Sequence, residues 1–419
     1  MKILYVVHQF YPHYGSGTEK ITYNIASMLQ NAGNRVKVVT YRVDHKGSVT
    51  GEFQNIKYNE FVYRKIPVLE FFLKDEPPSF TVDLSNRDVL VFAKEVLKRE
   101  KPDLVHICHP MRVGSFLEAA EQMAIPCVLT VTDLMYICPK IVMTTSRGEI
   151  CTDANHGQNC NVKCYDTGSH NEKRMALAER LLCQANSVIA PSVFIQNMFK
   201  KQIPRVNIRI IKHGMDYSGV KYQTRKYTRN DIINFGFVGT VREHKGVHLL
   251  VDSFMRNKSE NIRLSVYGGY GGCYGQKLAN QAKKDVRISF CGTFDNNNLE
   301  TAYGGIDVLV IPSLCYESYS LVKYEAMMRN IPIVVSDLGA LGDGITGGVN
   351  GFIFSPAKKD SLYEIITDIA NNPEQLNGIK RNMISFVIPT IEQESFQYHN
   401  LYKKCINNHV RKDVLKVAK

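Results

Sequence analysis

The chain predicts an α/β protein of two doubly wound domains facing a cleft, and three observations carry that expectation. Short β-rich apolar runs alternate with helical patterns along its whole length. The alternation stops near residue 215 and starts again after a polar stretch. At 419 residues, the chain is too long for one ordinary core and suits two domains of about 200 residues each. Strands separated by helices pair in parallel and are covered on both faces.

In the first round, Ile3–Val7, Val36–Thr40, Leu104–Ile107, Cys127–Val131 and Val188–Ala190 read as strands. Ile21, Ile25, Met28 and Leu29 recur with helical spacing, as do Val89, Phe92, Val96 and Leu97 behind Ser85. The second round runs through Ile233–Val238, Leu264–Tyr267, Ile288–Cys291, Val308–Ile311 and Ile333–Val335. Lys212-His213-Gly214-Met215-Asp216 and the polar stretch Tyr217–Asp231 mark the break. Domains of 1–215 and 216–390 follow, with 391–419 as a last segment. That segment carries Phe396, Leu401 and Tyr402 on a helical pattern over Ile391–Ile406. One long irregular stretch, 134–169, holds four cysteines.

Hydrophobic content of 44% and charged content of 22% belong to a globular protein. Met1–Val7 is too short for a signal peptide, and no apolar run reaches the ~18 residues of a membrane span, so a cytoplasmic protein is expected. The formal charge of +12 admits nucleic acid, an anionic membrane or an anionic substrate as partner. Basic residues gather at Lys200, Lys201, Arg205, Arg209 and Lys212, and in the tail at Lys403, Lys404, Arg411, Lys412, Lys416 and Lys419. No helix-turn-helix, zinc finger or aromatic RNA-binding signature accompanies them, so nucleic acid is set aside.

The chemistry concentrates after the strand Val308–Ile311. Glu317 falls in the loop that follows, and Glu325 lies about a turn and a half into the next helix. Two carboxylates so placed suit two sets of hydroxyls on one ligand, and the free N–H groups near Ser320, Leu321 and Val322 suit an anion between them. A nucleotide sugar has that layout. In the same domain, Gly239-Thr240-Val241-Arg242 leads to Lys245-Gly246, and Gly268-Gly269 follows another strand. In the first domain, Gly15-Ser16-Gly17 joins a strand to a helix, a turn that lets backbone approach a phosphate or a sugar. His106-Ile107-Cys108-His109 and Thr132-Asp133 end two further strands.

Together these segments resemble the retaining family-4 (group 1) glycosyltransferases of GT-B fold. The match is close over residues 231–355 and looser over residues 1–215. The resemblance implies Rossmann-like domains, an acceptor side in the first and a donor side in the second, and a C-terminal helix that crosses back. It implies retaining, metal-independent transfer from a UDP- or GDP-sugar to a saccharide or lipid-linked glycan. Glu317 then faces the donor sugar, Glu325 holds the ribose, and Lys245 grips the diphosphate. Thr240 stands where the family has Arg, and Arg242 is available two residues along. Gly15, Gly17, Gly268 and Gly269 line the donor. Cys108 takes the family's second His position in a gapless alignment, with His109 displaced by one; Asp133 is retained. A nucleotide-sugar epimerase and a non-catalytic nucleotide-sugar-binding protein remain as alternatives, as does docking of the basic surface on an anionic membrane.

The cysteines Cys138, Cys151, Cys160 and Cys164 resemble a Cys-rich insertion of some of these transferases. Cys160 and Cys164 are spaced like half of a tetrahedral structural zinc site. Four free thiols are the alternative.

Overall fold

A computed structural model describes residues 1–44, 47–165, 167–168, 170–295 and 298–417. Residue 169, which ends the cysteine-bearing stretch, and Lys419 of the basic tail lie outside these residues. Two compact units emerge: Met1–Gly214 with Pro389–Lys419, and Met215–Ile388.

The first unit is built on a nine-stranded sheet among the described residues. Its strands are β1 (Lys2–Val7), β2 (Arg35–Tyr41), β3 (Gly51–Phe53), β4 (Ile56–Tyr63), β5 (Ile66–Leu73), β6 (Leu104–Ile107), β7 (Cys127–Thr130), β8 (Ser187–Ala190) and β9 (Ile208–Ile210). Their order is β3-β4-β5-β2-β1-β6-β7-β8-β9. The central strands are parallel and, at β1, β6, β7 and β8, almost wholly buried, which is why they read as continuous apolar runs. The parallel expectation fails at one edge: β3, β4 and β5 form an antiparallel meander, and β5 pairs in parallel with β2. The β4–β5 turn places Arg64 and Lys65 at φ 44° and 72°. Such a turn ordinarily announces itself by Asn-Gly or Asp-Gly, and here nothing does.

The first helix, Gly17–Asn31, begins at Ser16, whose backbone N–H donates to Glu19 at 2.9 Å in a capping box. Glu19, Thr22, Ile25, Ala26 and Leu29 form its buried face. The C-terminal helix, Ile391–Val417, packs against this first helix. Its buried contacts are Tyr398, Leu401, Tyr402 and Cys405, whereas Phe396 is 66% exposed and belongs to the outer face. Polar bonds fix the docking. The Tyr402 hydroxyl meets His106 Nδ1 at 2.6 Å, and Tyr398 meets the Thr130 hydroxyl at 2.9 Å. Glu394 joins His213 at 2.8 Å and accepts the Gly214 N–H at 2.8 Å.

The second unit is a six-stranded, wholly parallel sheet ordered β12-β11-β10-β13-β14-β15. Its strands are β10 (Ile233–Val238), β11 (Ile262–Tyr267), β12 (Ile288–Gly292), β13 (Val308–Ile311), β14 (Ile333–Ser336) and β15 (Phe352–Phe354). One apolar core runs through both faces. The middle strands β10 and β13 are neighbours, so the loops leaving their C-terminal ends meet above the sheet.

Candidate active site

Those two loops carry Lys245 and Glu317. The Lys245 ammonium lies 2.6 Å from Glu317 Oε1, and the same oxygen accepts the Ser313 hydroxyl at 2.6 Å. Burial opposes the charge on Lys245, but the facing carboxylate outweighs it and holds the ammonium above its ordinary range. Burial likewise opposes ionisation of Glu317; Lys245 and the Ser313 hydroxyl outweigh it and hold the carboxyl below its ordinary range.

The backbone explains the pairing. Leu314 N–H bonds the His244 carbonyl at 2.7 Å, so the two loops are laced together. Gly246 has φ 68°, and a Cβ there would stand 1.8 Å from the Pro312 oxygen; only glycine lets Lys245 approach this loop. Glu317 itself is held by the Ala340 N–H, which bonds its carbonyl at 2.8 Å. Buried Lys323 ties the next segment down through the Ala340 and Asp343 carbonyls, at 3.2 and 2.8 Å.

Glu325 stands in the following helix, Leu321–Met327, and is buried. Its Oε2 accepts the Tyr303 hydroxyl at 2.8 Å. Ser320 precedes the helix at φ 51°, and its hydroxyl accepts the Lys323 N–H at 3.4 Å. Leu321 and Val322 open the helix, half-buried, where backbone N–H groups lack intrahelical partners. Thr240 and Arg242 follow β10 and are exposed. Gly268 is a packing position: a Cβ there would fall 1.9 Å from the Gly239 oxygen. The Gly269 carbonyl accepts the Val241 N–H at 2.9 Å. Sequence reasoning passed over Ser313, Tyr303 and Lys323. Ser313 was visible only as the end of a strand, and a Tyr and a Lys carry no signal of their own.

In the first unit, Gly15 lies in the turn between β1 and the first helix, and Gly17 is that helix's first residue. His109 follows β6, Asp133 follows β7, and His109 Nε2 meets Asp133 Oδ2 at 2.6 Å. Asp133 also accepts the Met135 N–H at 2.9 Å, capping the next turn. Cys108 points into the core, and burial pushes its thiol up to about 12. His8, which the sequence did not single out, packs its ring 4.0 Å from that of His109.

The zinc expectation is not supported. Among the described residues, no three His, Cys, Asp or Glu side chains form a group that could hold a metal ion. Cys138, Cys160 and Cys164 are buried, and the Cys151 thiol donates to the Asp153 carbonyl at 3.4 Å. Burial raises Cys138 to about 11 and Cys160 to about 12. What orders this stretch is backbone bonding, including Cys151 N–H to Met143 at 2.8 Å and Ser146 N–H to Lys163 at 3.1 Å.

Comparison with known proteins identifies the family. The family "Glycosyltransferase Family 4" matches residues 15–218, and "Glycosyl transferases group 1" matches residues 223–385. The lipopolysaccharide 1,2-N-acetylglucosaminetransferase of Salmonella typhimurium is 25% identical over 199 residues, 43% of this chain and 51% of that protein. The chain thus matches about half the length of its curated relatives or less. Among solved structures, a sucrose-phosphate synthase from Thermosynechococcus elongatus superposes with a TM-score of 0.70 at 16% identity, covering 97% of this chain and 100% of that one. Anabaena HepE in complex with UDP-glucose gives 0.68 at 18% identity, covering 96% and 100%. These likenesses establish a GT-B fold. With family descriptions matching each unit in turn, the chain belongs to the group 1, family 4 glycosyltransferases.

Proposed function

We propose that the chain transfers a sugar from a nucleotide-sugar donor, a UDP- or GDP-sugar, to a saccharide or lipid-linked glycan, with retention at the anomeric carbon and without a metal ion. The observation that carries this reading is the Lys245–Glu317 pair, with Glu325 on the helix that follows. Lys245 is a cation fixed at the ends of β10 and β13, where a ligand binds in a sheet of this kind. A donor diphosphate competes with Glu317 for the ammonium. As it does so, Glu317 turns to the hydroxyls of the transferring sugar while Ser313 keeps it oriented. Glu325, buried on the helix that follows, receives the ribose hydroxyls.

As the sugar–phosphate bond breaks, negative charge grows on the leaving diphosphate, and Lys245 meets it from a preorganised position. Arg242, exposed nearby in sequence, is a second cation for the same charge. The sequence contains no Asp-x-Asp motif for a divalent ion. That HepE has been solved with UDP and with UDP-glucose supports a uridine donor here.

Thermal stabilisation by a panel of UDP-, GDP- and ADP-sugars tests donor binding; a donor at 100 times its dissociation constant stabilises by about 2.7 kcal/mol. Turnover of that donor with and without saccharide acceptors separates transferase, epimerase and binding protein, and NMR of the product's anomeric proton tests retention.

A further inference from the structure

Glu325 is a carboxylate inside the protein, and two neighbouring elements are built around it. The four-residue helix Glu300–Tyr303 brings Tyr303, fully buried, whose hydroxyl donates to Glu325 Oε2 at 2.8 Å. Arg329 lies one turn beyond Glu325, just past the helix Leu321–Met327, and is also buried. Its Nη1 donates to the Glu325 carbonyl at 2.8 Å, and its Nε donates to Glu300 Oε1 at 2.8 Å. Its guanidinium carbon stands 4.8 Å from the centre of the Tyr303 ring. One cation thus grips the backbone of Glu325, the face of the ring that serves it and the helix that carries the ring. Gln223 closes the arrangement. Its N–H donates to the Arg329 carbonyl at 2.9 Å, and its side-chain amide donates to the Tyr303 and Ile306 carbonyls at 3.2 and 3.1 Å.

Stability alone does not call for this arrangement. Apolar side chains at 303 and 325 would fill the space without burying a carboxylate, which is costly to take from water. Phenylalanine would keep the ring and its contact with Arg329, so what the phenol oxygen adds is its bond to the carboxylate. Burial and that carboxylate hold the phenol well above its ordinary range, so it keeps its proton and the bond runs one way, from Tyr303 to Glu325. Tyr303 is itself too deep to meet a ligand. The effect of its hydroxyl is to stop the Glu325 carboxylate from turning about its last side-chain bond. An acceptor held in one orientation before the ligand arrives spares the ligand the cost of ordering it.

We infer that Tyr303 is a positioning residue, which holds the Glu325 carboxylate in the orientation that accepts the donor's ribose hydroxyls, with Arg329 holding Tyr303 in turn. Tyr303 thereby sets the preference for a ribonucleotide over a nucleotide that lacks those hydroxyls. The inference rests on the donor-site reading above, in which Glu325 receives the ribose, and adds the residues that make that contact selective.

The test is isothermal titration calorimetry on the full chain, with UDP, GDP and ADP and with their 2′,3′-dideoxy counterparts. In the natural protein, loss of both hydroxyls should weaken binding. Tyr303→Phe should weaken the ribonucleotide by roughly 3- to 10-fold, the net worth of one hydrogen bond, and leave the dideoxynucleotide within about twofold. The ratio of the two dissociation constants then falls. A merely structural role would weaken both nucleotides alike and leave the ratio unchanged. That outcome, or a ribonucleotide bound as tightly as before or more tightly, overturns the inference. Should Tyr303→Phe not fold, Glu300→Gln loosens Arg329 from the half-buried end of the network and is read by the same ratio. A fall supports the inference, and an unchanged ratio overturns it. If none of the three ribonucleotides binds the natural protein, the transfer reading fails. If one binds and its dideoxy counterpart binds equally well, the ribose role of Glu325 fails and this inference with it. If the natural protein discriminates and Tyr303→Phe discriminates as strongly, only the present inference fails.

Discussion

Lys245 and Glu317 neutralise each other in the free protein, and this sets what their removal does. Lys245→Ala should lower turnover by roughly 10²–10³, the usual effect of deleting one preorganised group that meets transition-state charge. Near-normal kinetics in that variant would overturn the diphosphate assignment. Glu317→Gln keeps the shape and the Ser313 bond but loses the charge, so it should impair both turnover and discrimination between donor sugars. The pair also fixes a pH window. Glu317 sits below its ordinary range and stays ionised until pH falls through that lowered value; Lys245 sits above its range and stays charged until pH rises through the raised one. A pH–rate profile should therefore show no ionisation from this pair between about pH 5 and 10. Glu325 needs a different substitution. Alanine there strands the buried Tyr303 hydroxyl, at about 1–3 kcal/mol of stability, as well as weakening donor binding. Comparing donor affinity and melting temperature in Glu325→Ala and Glu325→Gln separates the two effects.

At the scale of elements, the C-terminal helix is held to the first unit by polar bonds set inside an apolar interface. Glu394 is almost fully buried and serves two donors, His213 and the Gly214 N–H. Glu394→Ala should cost roughly 1–3 kcal/mol for the buried Gly214 N–H left unpaired, measured by chemical denaturation. His106 lies under the same helix between Tyr402 and Thr130, and burial, then the nearby His213, depresses it to about 3. Its pKa in the unfolded chain is near 6.5, so the unfolded state takes up the proton first as pH falls. The stability it contributes is full above about pH 6.5 and drains by roughly 1.4 kcal/mol per pH unit down to pH 3. His106→Gln should be less stable at pH 7 yet flatten that acid slope. An unchanged slope would show that the titration lies elsewhere.

At the scale of the molecule, the +12 charge has two readings that differ in one measurement. Lys200 and Lys201 end the helix Val193–Gln202, with Lys201 bonded to the Thr152 carbonyl at 3.0 Å, and Lys403 and Lys404 lie exposed on the C-terminal helix. Among the described residues, no helix is long and apolar enough to cross a membrane. Each Lys or Arg near an anionic bilayer contributes about 1 kcal/mol, so four or more on one surface would hold the protein to it at low salt. Sedimentation with anionic vesicles should then pull the chain down, and with neutral vesicles leave it in solution. Equal recovery in both supernatants would assign the charge to anionic donors and solubility instead.

The sequence by itself determined the two rounds of parallel strands, because strands buried on both faces must be apolar throughout. It also placed Glu317 and Lys245 in the loops after two strands and Glu325 in the helix that follows, because strand ends and helix starts keep their polar residues in recognisable positions. It could not show the meander at β3–β5, whose turn is made by Arg64 and Lys65 without the usual glycine. Nor could it show that Phe396 faces out while Tyr398 faces in, since a helical repeat does not say which stripe meets the sheet. Cys160 and Cys164 looked like ligands by their spacing, yet among the described residues no group of side chains could hold a metal ion. His109 stood out because a motif surrounds it, whereas His8 has no motif. His109 is bonded to Asp133, 24 residues away, and the His8 ring lies tilted against it from the end of another strand. Hydrogen bonds between residues distant in the chain are made only when the strands align, and that is a decision of the tertiary structure.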